Sequence, residues 1–395
     1  MTRLRVGSGS SSLDDSATAG AEAARAALAG LAGTTPGLVI VYASIRYDLT
    51  ELLAAVRGVT GDAPLVGASA SGQFADGEFL PAGTSVSVMI LGAGVYRFGT
   101  AAITGIGADT VAAGHKLARQ AVDAAGAAAP HSALLVLADG MAGDMQGLLT
   151  GIYRVTGALV PVVGGAAGDD RTFAGSYVLH DGEALRDAAV AVSIGSDRPL
   201  HVVAAHGWQP QTLPMLITQV DGTAVLEIAG RPATEVYNEG VANYERTRTQ
   251  PARIQHTDGT GEVWHTATAF GLIEPDGTQL VRGAYIGEGG LLHTFTPLPE
   301  YAAVQVVSAD QDDLLDISDQ VVNDALRGVP DPAVMLMFSC VARTDILGDR
   351  AFEEAARLHK AAGSVATFGF YTYGEFARTT GVAGYHNATI TALAL

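Results

Sequence analysis

Apolar and polar positions along this chain repeat one order three times: strand, helix, apolar strand, helix, a strand ending in a Gly/Ser-rich tip, and a closing strand. In the first copy, residues 4–7 predict a strand, and Asp14 or Asp15 caps a helix through Ala27. Residues 38–43 (LVIVYA) form an unbroken apolar run suited to a strand buried on both faces. Asp48 caps a short helix with Leu52, Leu53 and Val56 inward, and SVSVMIL from Ser85 alternates as a closing strand. The second copy sets a strand over 95–101, a helix capped by Asp109, an apolar strand over 133–138, a helix near 145–155 and a closing strand from Ala188. The third sets a strand over 303–307, a helix over 313–326, an apolar strand over 334–338, an amphipathic helix over 351–361 and a closing strand from Asn387.

The tips read PLVGASASGQF from Pro64, PVVGGAAGDD from Pro161 and ATFGFYTYGEF from Ala366, with Gly67, Gly164 and Gly369 in the same place. Residues 200–299 break the pattern with short strands and the turn signals VDGT and PDGT. The expected fold is therefore α/β in the mixed α+β sense. Repeated β-α-β-α-β-β units form mixed sheets flanked by helices, with a β-rich segment at about 200–300. Two domains are expected. Residues 1–210 hold the copies at 3–91 and 95–195; residues 211–395 hold the β-rich segment and the third copy at 301–395.

A chain of 395 residues that is 48% hydrophobic can bury such a core. Its formal net charge of −18 makes nucleic acid a poor partner, because phosphate binding needs a basic footprint. Apolar runs of strand length, far short of the roughly 20 residues that span a bilayer, argue against membrane insertion. With Cys340 the single cysteine, no intramolecular disulfide can form, and a cytoplasmic setting fits. A lysine-poor, alanine- and arginine-rich composition points to a bacterial or archaeal source.

Right-handed crossovers bring the C-terminal ends of the parallel strands to one edge. That edge is where open α/β sheets bind small molecules. It gathers Ser44 and Arg46 with Ser69 and Ser71 in copy one, and Asp139 and Gly140 with Gly165, Asp169 and Asp170 in copy two. In copy three it gathers Ser339, Cys340 and Arg343 with Tyr371, Thr372, Tyr373 and Glu375, the richest set. Arg343 suits bidentate capture of a ligand carboxylate, with Glu375 holding a ligand ammonium and the tyrosines walling the pocket. The bland alternative is an internal Arg343–Glu375 salt bridge. Cys340 could be a nucleophile with His386 as base and Asn387 as orienter, or a small buried residue at a strand end. Adjacent residues on a strand point to opposite faces, which argues against that relay. Asp169 and Asp170 suit a tight acidic turn better than a metal, and GSGSSS at Gly7 lacks the glycine spacing and lysine of nucleotide loops. No cofactor and no metal are expected.

GASASGQF, GGAAGDD, the segment ITQVDGTAVLEIAGRPATEVYNE from Ile217, FSCVAR, GFYTYGEF and the YHN from Tyr385 resemble the FIST family over essentially the whole chain. Gly67, Ser69 and Gly72 match its N-terminal motif, with Gln73 where an acidic residue is common. Ser339, Cys340 and Arg343 match its Ser-Cys…Arg motif, with Ala342 in place of a glycine. Gly369, Tyr371, Thr372, Gly374, Glu375 and Asn387 match the last motifs. The resemblance implies a sensory module that binds a small ligand such as an amino acid or related carboxylate, and with no long signalling helix or fused output domain in the sequence a separate protein partner is expected to carry the signal. It favours binding over catalysis and leaves a homo-oligomer open. A cysteine-dependent hydrolase using Cys340, or a protein-interaction scaffold, are the alternatives.

Overall fold

The computed structural model describes residues 3–248, 263–275, 277–378 and 384–395. The first copy runs β1 (Val6–Ser11), α1 (Ser16–Gly30), β2 (Pro36–Ala43), α2 (Leu49–Thr60), β3 (Leu65–Ser69), β4 (Gln73–Ala75), β5 (Glu78–Leu80) and β6 (Val86–Gly92). The second runs β7 (Tyr96–Thr104), α3 (Thr110–Ala125), β8 (His131–Asp139), α4 (Met145–Thr156), β9 (Val162–Ala167), β10 (Val178–His180), β11 (Glu183–Leu185) and β12 (Ala188–Ser196). There follow β13 (His201–Ala205), β14 (Gln209–Pro210), β15 (Met215–Asp221), β16 (Ala224–Ile228), β17 (Arg231–Pro232), α5 (Ala233–Thr247), β18 (Val263–Ile273), β19 (Gln279–Ile286), β20 (Leu292–Thr294) and β21 (Ala303–Ser308). The chain closes with α6 (Gln311–Gly328), β22 (Val334–Cys340), α7 (Val341–Leu347), α8 (Ala351–Ala362), β23 (Ala366–Thr372), β24 (Glu375–Arg378), β25 (Tyr385–His386) and β26 (Ile390–Ala394).

The fold is mixed α+β, with sheets flanked by helices. Aspartates start four of its helices by accepting orphan backbone N–H groups. Asp15 accepts from Thr18, Asp48 from Thr50 and Glu51, and Asp109 from Ala112. Asp310 and Asp313 form a reciprocal capping box on α6. In each copy the apolar central strand lies between a parallel tip strand and an antiparallel closing strand: β2 with β3 and β6, β8 with β9 and β12, β22 with β23 and β26. The repeated glycine is explained by that pairing. A Cβ on Gly67, Gly164 or Gly369 would lie 2.0, 1.8 or 2.1 Å from the carbonyl oxygen of Val41, Val136 or Met337, the residue opposite on the central strand.

The short hairpin after each tip joins the sheet of another copy. β4–β5 of copy one pairs with β23 of copy three. β24–β25 of copy three pairs with β9 of copy two, and β10–β11 of copy two pairs with β3 of copy one. The exchange is cyclic, so each sheet is finished by a strand from a neighbour.

The third copy differs from expectation at its first strand. β13 takes that place, antiparallel to β26, as β1 does to β6 and β7 to β12. β21, the strand expected there, pairs instead with β14, β15 and β18. Both are short alternating strands, and only their pairing distinguishes them. The β-rich segment is thus inserted between the first strand and first helix of copy three. Its pairings run β21-β15-β16-β20-β19-β18 and return to β21, closing on themselves around a core that includes Val236, Tyr237, Phe270 and Val306. Among the described residues no helix is long and apolar enough to cross a membrane.

Candidate functional site

The three tips meet. Ser71 N–H donates to Tyr371 O (3.2 Å), and Tyr371 N–H donates to Gly72 O (2.9 Å). Gly168 N–H donates to Ser69 O (3.0 Å), and Tyr373 N–H donates to Ala166 O (3.1 Å). Ser44, Asp139 and Cys340 stand at matching ends of the central strands, and each faces a polar partner. Ser44 Oγ donates to Asp170 (2.6 Å), Ser176 Oγ donates to Asp139 (2.5 Å), and the Cys340 thiol lies against Glu375.

The residues of the third tip divide between two faces of β22 and β23. On the helical face, Arg343 is fully buried at the start of α7. Its Nε and Nη2 donate to Glu354 Oε1 (2.8 and 2.5 Å), and Nη2 also donates to Leu314 O (3.0 Å). Ser339 Oγ donates to the other oxygen of Glu354 (2.9 Å). Arg343 is therefore ion-paired, but with Glu354 of α8 rather than with Glu375. Its Nη1 is buried without a hydrogen-bond partner. The Tyr371 hydroxyl lies beside Glu354 without a bond of ordinary length. Burial pushes that hydroxyl well above the usual range, and the Glu354 charge adds to the effect.

On the other face, Glu375 accepts from Thr372 Oγ1 (2.6 Å) and from Thr389 N–H (3.1 Å). Burial pushes its carboxyl up to about 8 against those bonds, so it is mostly protonated at neutral pH. This neutral group is ill suited to hold the ligand ammonium expected of it. Cys340 is buried, and burial together with the neighbouring Glu375 pushes its thiol well above the ordinary value. His386 lies opposite Glu375 on β25, its Nε2 2.8 Å from Ala377 O, and burial lowers it to about 4. Among the described residues no hydrogen bond joins Cys340 to His386. Asn387 is buried with Oδ1 unpartnered.

Ser69, Ser71 and Tyr373 lie where the tips meet. Ser69 Oγ donates to Gly168 O (2.6 Å) and accepts from Tyr177 N–H (2.8 Å), which makes it a clamp between copies. Tyr373 OH donates to Asp169, whose carboxylate also accepts from Thr172, Phe173, Ala174 and Gly175. Burial opposes ionisation of Asp169, but the bonds from Tyr373, Gly175, Thr172 and Phe173 outweigh it and hold its pKa below the ordinary value. Ser71 lies beside Tyr373 and against Gly168.

Three partners escaped the motif reading. Glu354 sits on the buried stripe of α8 with Ala351, Ala355 and Leu358. An acid at that spacing was the signal. Arg282 is a buried cation on β19, among Leu280, Val281 and Ala284. His206 is lowered to about 4, chiefly by burial and then by the Arg343 charge. At the opposite edge, where β9 begins, a groove of about 340 Å³ is lined by Thr150, Tyr153, Arg154, Gly157, Ala158 and Arg378. None of the sequence-selected residues lines it.

Fold and site define a repeat-built α/β protein whose buried chemistry is concentrated at one strand tip. The chain belongs to the FIST family: its FIST N domain matches residues 37–231 and its FIST C domain residues 233–378. FIST domains are small-ligand sensory domains of signalling proteins. An uncharacterized protein of Mycobacterium tuberculosis is 24% identical over 397 residues, covering 98% of each chain. An uncharacterized protein of Methanocaldococcus jannaschii is 29% identical over 87 residues, 22% of this chain and 17% of that one. Among solved structures, cyanuric acid hydrolase from A. caulinodans is 10% identical with a TM-score of 0.35, covering 99% of both chains. A second cyanuric acid hydrolase structure is 10% identical with a TM-score of 0.33 and full coverage of both. Likeness at that level carries no argument about activity.

Proposed function

We propose that this chain is the sensor of a signalling system, that its ligand is an amino acid or related carboxylate bound at the third tip, and that a separate protein carries the output. One observation carries the reading. Asn387 Oδ1 is buried without a partner on the Glu375 face of the third tip, while Arg343 Nη1 and the Tyr371 hydroxyl lack partners on its helical face. A buried polar group left unmet costs about 1–3 kcal/mol, more when charged. A small molecule with a donor satisfies Asn387 Oδ1, and a carboxylate on it needs a cation on that same face. Glu375 and Cys340 then shape the pocket as neutral groups.

Thermal unfolding in the presence of each of the twenty amino acids and their 2-oxo acids tests this. At least one is expected to stabilise the protein, and Asn387→Ala is expected to lose that shift while still unfolding cooperatively. No stabilisation by any of them, or an undiminished shift in the variant, overturns the reading. The hydrolase alternative needs a thiolate and a base, but burial holds the Cys340 thiol above its ordinary pKa and the carboxyl it lies against, Glu375, is mostly protonated. The scaffold alternative draws on the exposed Leu213, Leu216 and Tyr301 of the β-rich segment, a surface that also suits a signalling partner.

A further inference from the structure

Arg282 is buried as deeply as the core around it, at 3% exposure, yet no carboxylate pairs with it among the described residues. Its Nη1 donates to the carbonyl oxygens of Tyr385 (2.8 Å) and Val281 (3.1 Å), which are neutral acceptors. The contrast with Arg343, which is equally buried but matched by Glu354, is direct. Among the described residues the surroundings do not supply the missing charge. His386, on the strand Arg282 touches, is neutral at ordinary pH. Glu375, opposite His386, mostly holds its proton. Glu274 is near enough for its charge to be felt, but it makes no ion pair with Arg282. Burial alone draws the guanidinium down to about 10, still charged at neutral pH. An unmatched buried charge is among the costlier features a fold can keep.

The corner around Arg282 joins two parts of the chain. Tyr385, His386 and Asn387 come from the end of the third copy, and β19 comes from the inserted segment. Asn387 N–H donates to Val281 O (3.3 Å), and this fixes the two strands side by side. Asn387 Oδ1, an acceptor without a donor, belongs to the same corner.

We propose that Arg282 binds the anionic group of the ligand, and that this group is a monocarboxylate held between the third copy and the inserted β-rich segment. The proposal rests on the ligand-binding reading above and adds the residue that sets ligand charge. A guanidinium presents a fork that matches carboxylate geometry. A single unmatched positive charge calls for a single negative one, so a monocarboxylate fits and dianionic phosphate overcompensates. Asn387 Oδ1 accepts from a donor elsewhere on the same ligand. The inserted segment thereby acquires a role: it brings a cation without a carboxylate partner, where the repeat's own Arg343 is matched by Glu354.

The test compares thermal unfolding of the full chain and its Arg282→Met and Arg282→Lys variants with acetate, glycine, acetamide and inorganic phosphate at constant ionic strength. Acetate and glycine are expected to raise the wild-type Tm by about 3 °C or more near saturation, and acetamide to leave it unchanged. Arg282→Met is expected to unfold at a Tm at least as high as the wild type without carboxylate, and to lose the carboxylate shift. Arg282→Lys keeps the charge without the fork and is expected to bind about tenfold to a hundredfold more weakly. An equal carboxylate shift in Arg282→Met overturns the assignment while leaving a ligand site in place. No shift in the wild type with a lowered Tm in Arg282→Met overturns the assignment and makes Arg282 a tie between carbonyls. A shift with phosphate alone replaces the carboxylate by a phosphate ligand. Should Arg282→Met fail to fold, unchanged affinity in Arg282→Lys overturns the assignment by itself.

Discussion

Gln73 in the first copy and Glu375 in the third stand at the same register, each on an exchanged strand and opposite the residue that follows the repeated glycine. Gln73 is satisfied within its own copy: Ser85 Oγ donates to its amide oxygen (2.7 Å), and its amide nitrogen donates to Ser85 O (3.3 Å). Glu375 is surrounded by Thr372, Thr389 and Cys340, and burial keeps its proton on against those bonds and the Arg343 charge. Beside Gln73 the tip is small and uncharged, with Ser69 fastened to Gly168 and Ser71 Oγ buried without a partner. The third tip carries Asn387 on the Glu375 face, and Tyr371 and Arg343 on the helical face, with atoms left unmet. One backbone therefore supports a small uncharged cluster in one place and one with a guanidinium and a carboxyl in another, and the second is where a ligand carboxylate has something to contribute.

The strongest blow to this contrast falls on the third copy alone. Arg343→Ala strands Glu354 in the interior, and urea unfolding should show a loss of about 3–5 kcal/mol. A loss below about 1 kcal/mol would mean the pair is not desolvated. The shared backbone makes the next prediction. Gly67→Ala, Gly164→Ala and Gly369→Ala each drive a methyl into a central-strand carbonyl and should each cost about 3 kcal/mol or more by the same measurement. A copy that tolerates alanine would break the equivalence of the three.

The repeated elements, the capping aspartates and the glycine at each tip were legible in the sequence because they are local. Apolar runs, cap residues and turn residues act within a few positions. The cyclic exchange of hairpins was not, because QFADGEFL and its counterparts carry alternation and a turn but nothing that names the sheet they join. The same ambiguity hid β13 behind β21. At the site, Arg343 stood out by chemistry, while its partner was obscured by proximity in the motif. Glu375 lies near the tip in sequence, but Glu354 lies on the buried stripe of α8, where a charge must be matched. Arg282 was passed over because LVRGA reads as an ordinary strand, and its isolation from carboxylates exists only in three dimensions.

A smaller effect sharpens the comparison of Gln73 with Glu375. Folded Glu375 titrates at about 8, against an ordinary value of 4.5. Between the two, the folded protein holds a proton that the unfolded chain releases. Stability attributable to this group therefore falls as pH rises from about 4.5 to about 8, by at most about 1.4 kcal/mol per pH unit. Glu375→Gln should remove that slope and leave stability at pH 5 nearly unchanged, since Gln73 already shows an amide in this place. A slope that survives the substitution would assign it elsewhere. The smallest expected effect is at Cys340, which should resist alkylation in the native protein at pH 7.5, with Cys340→Ala retaining cooperative unfolding; rapid labelling without unfolding would reopen the nucleophile reading.

Hydrogen–deuterium exchange with and without a stabilising carboxylate locates the ligand directly. Added protection is expected at residues 339–343, 371–375 and 385–389 and at β19, with residues 65–73 and 162–168 unchanged. Protection confined to the first or second tip, or spread equally over all three, would contradict the assignment of the ligand to the third.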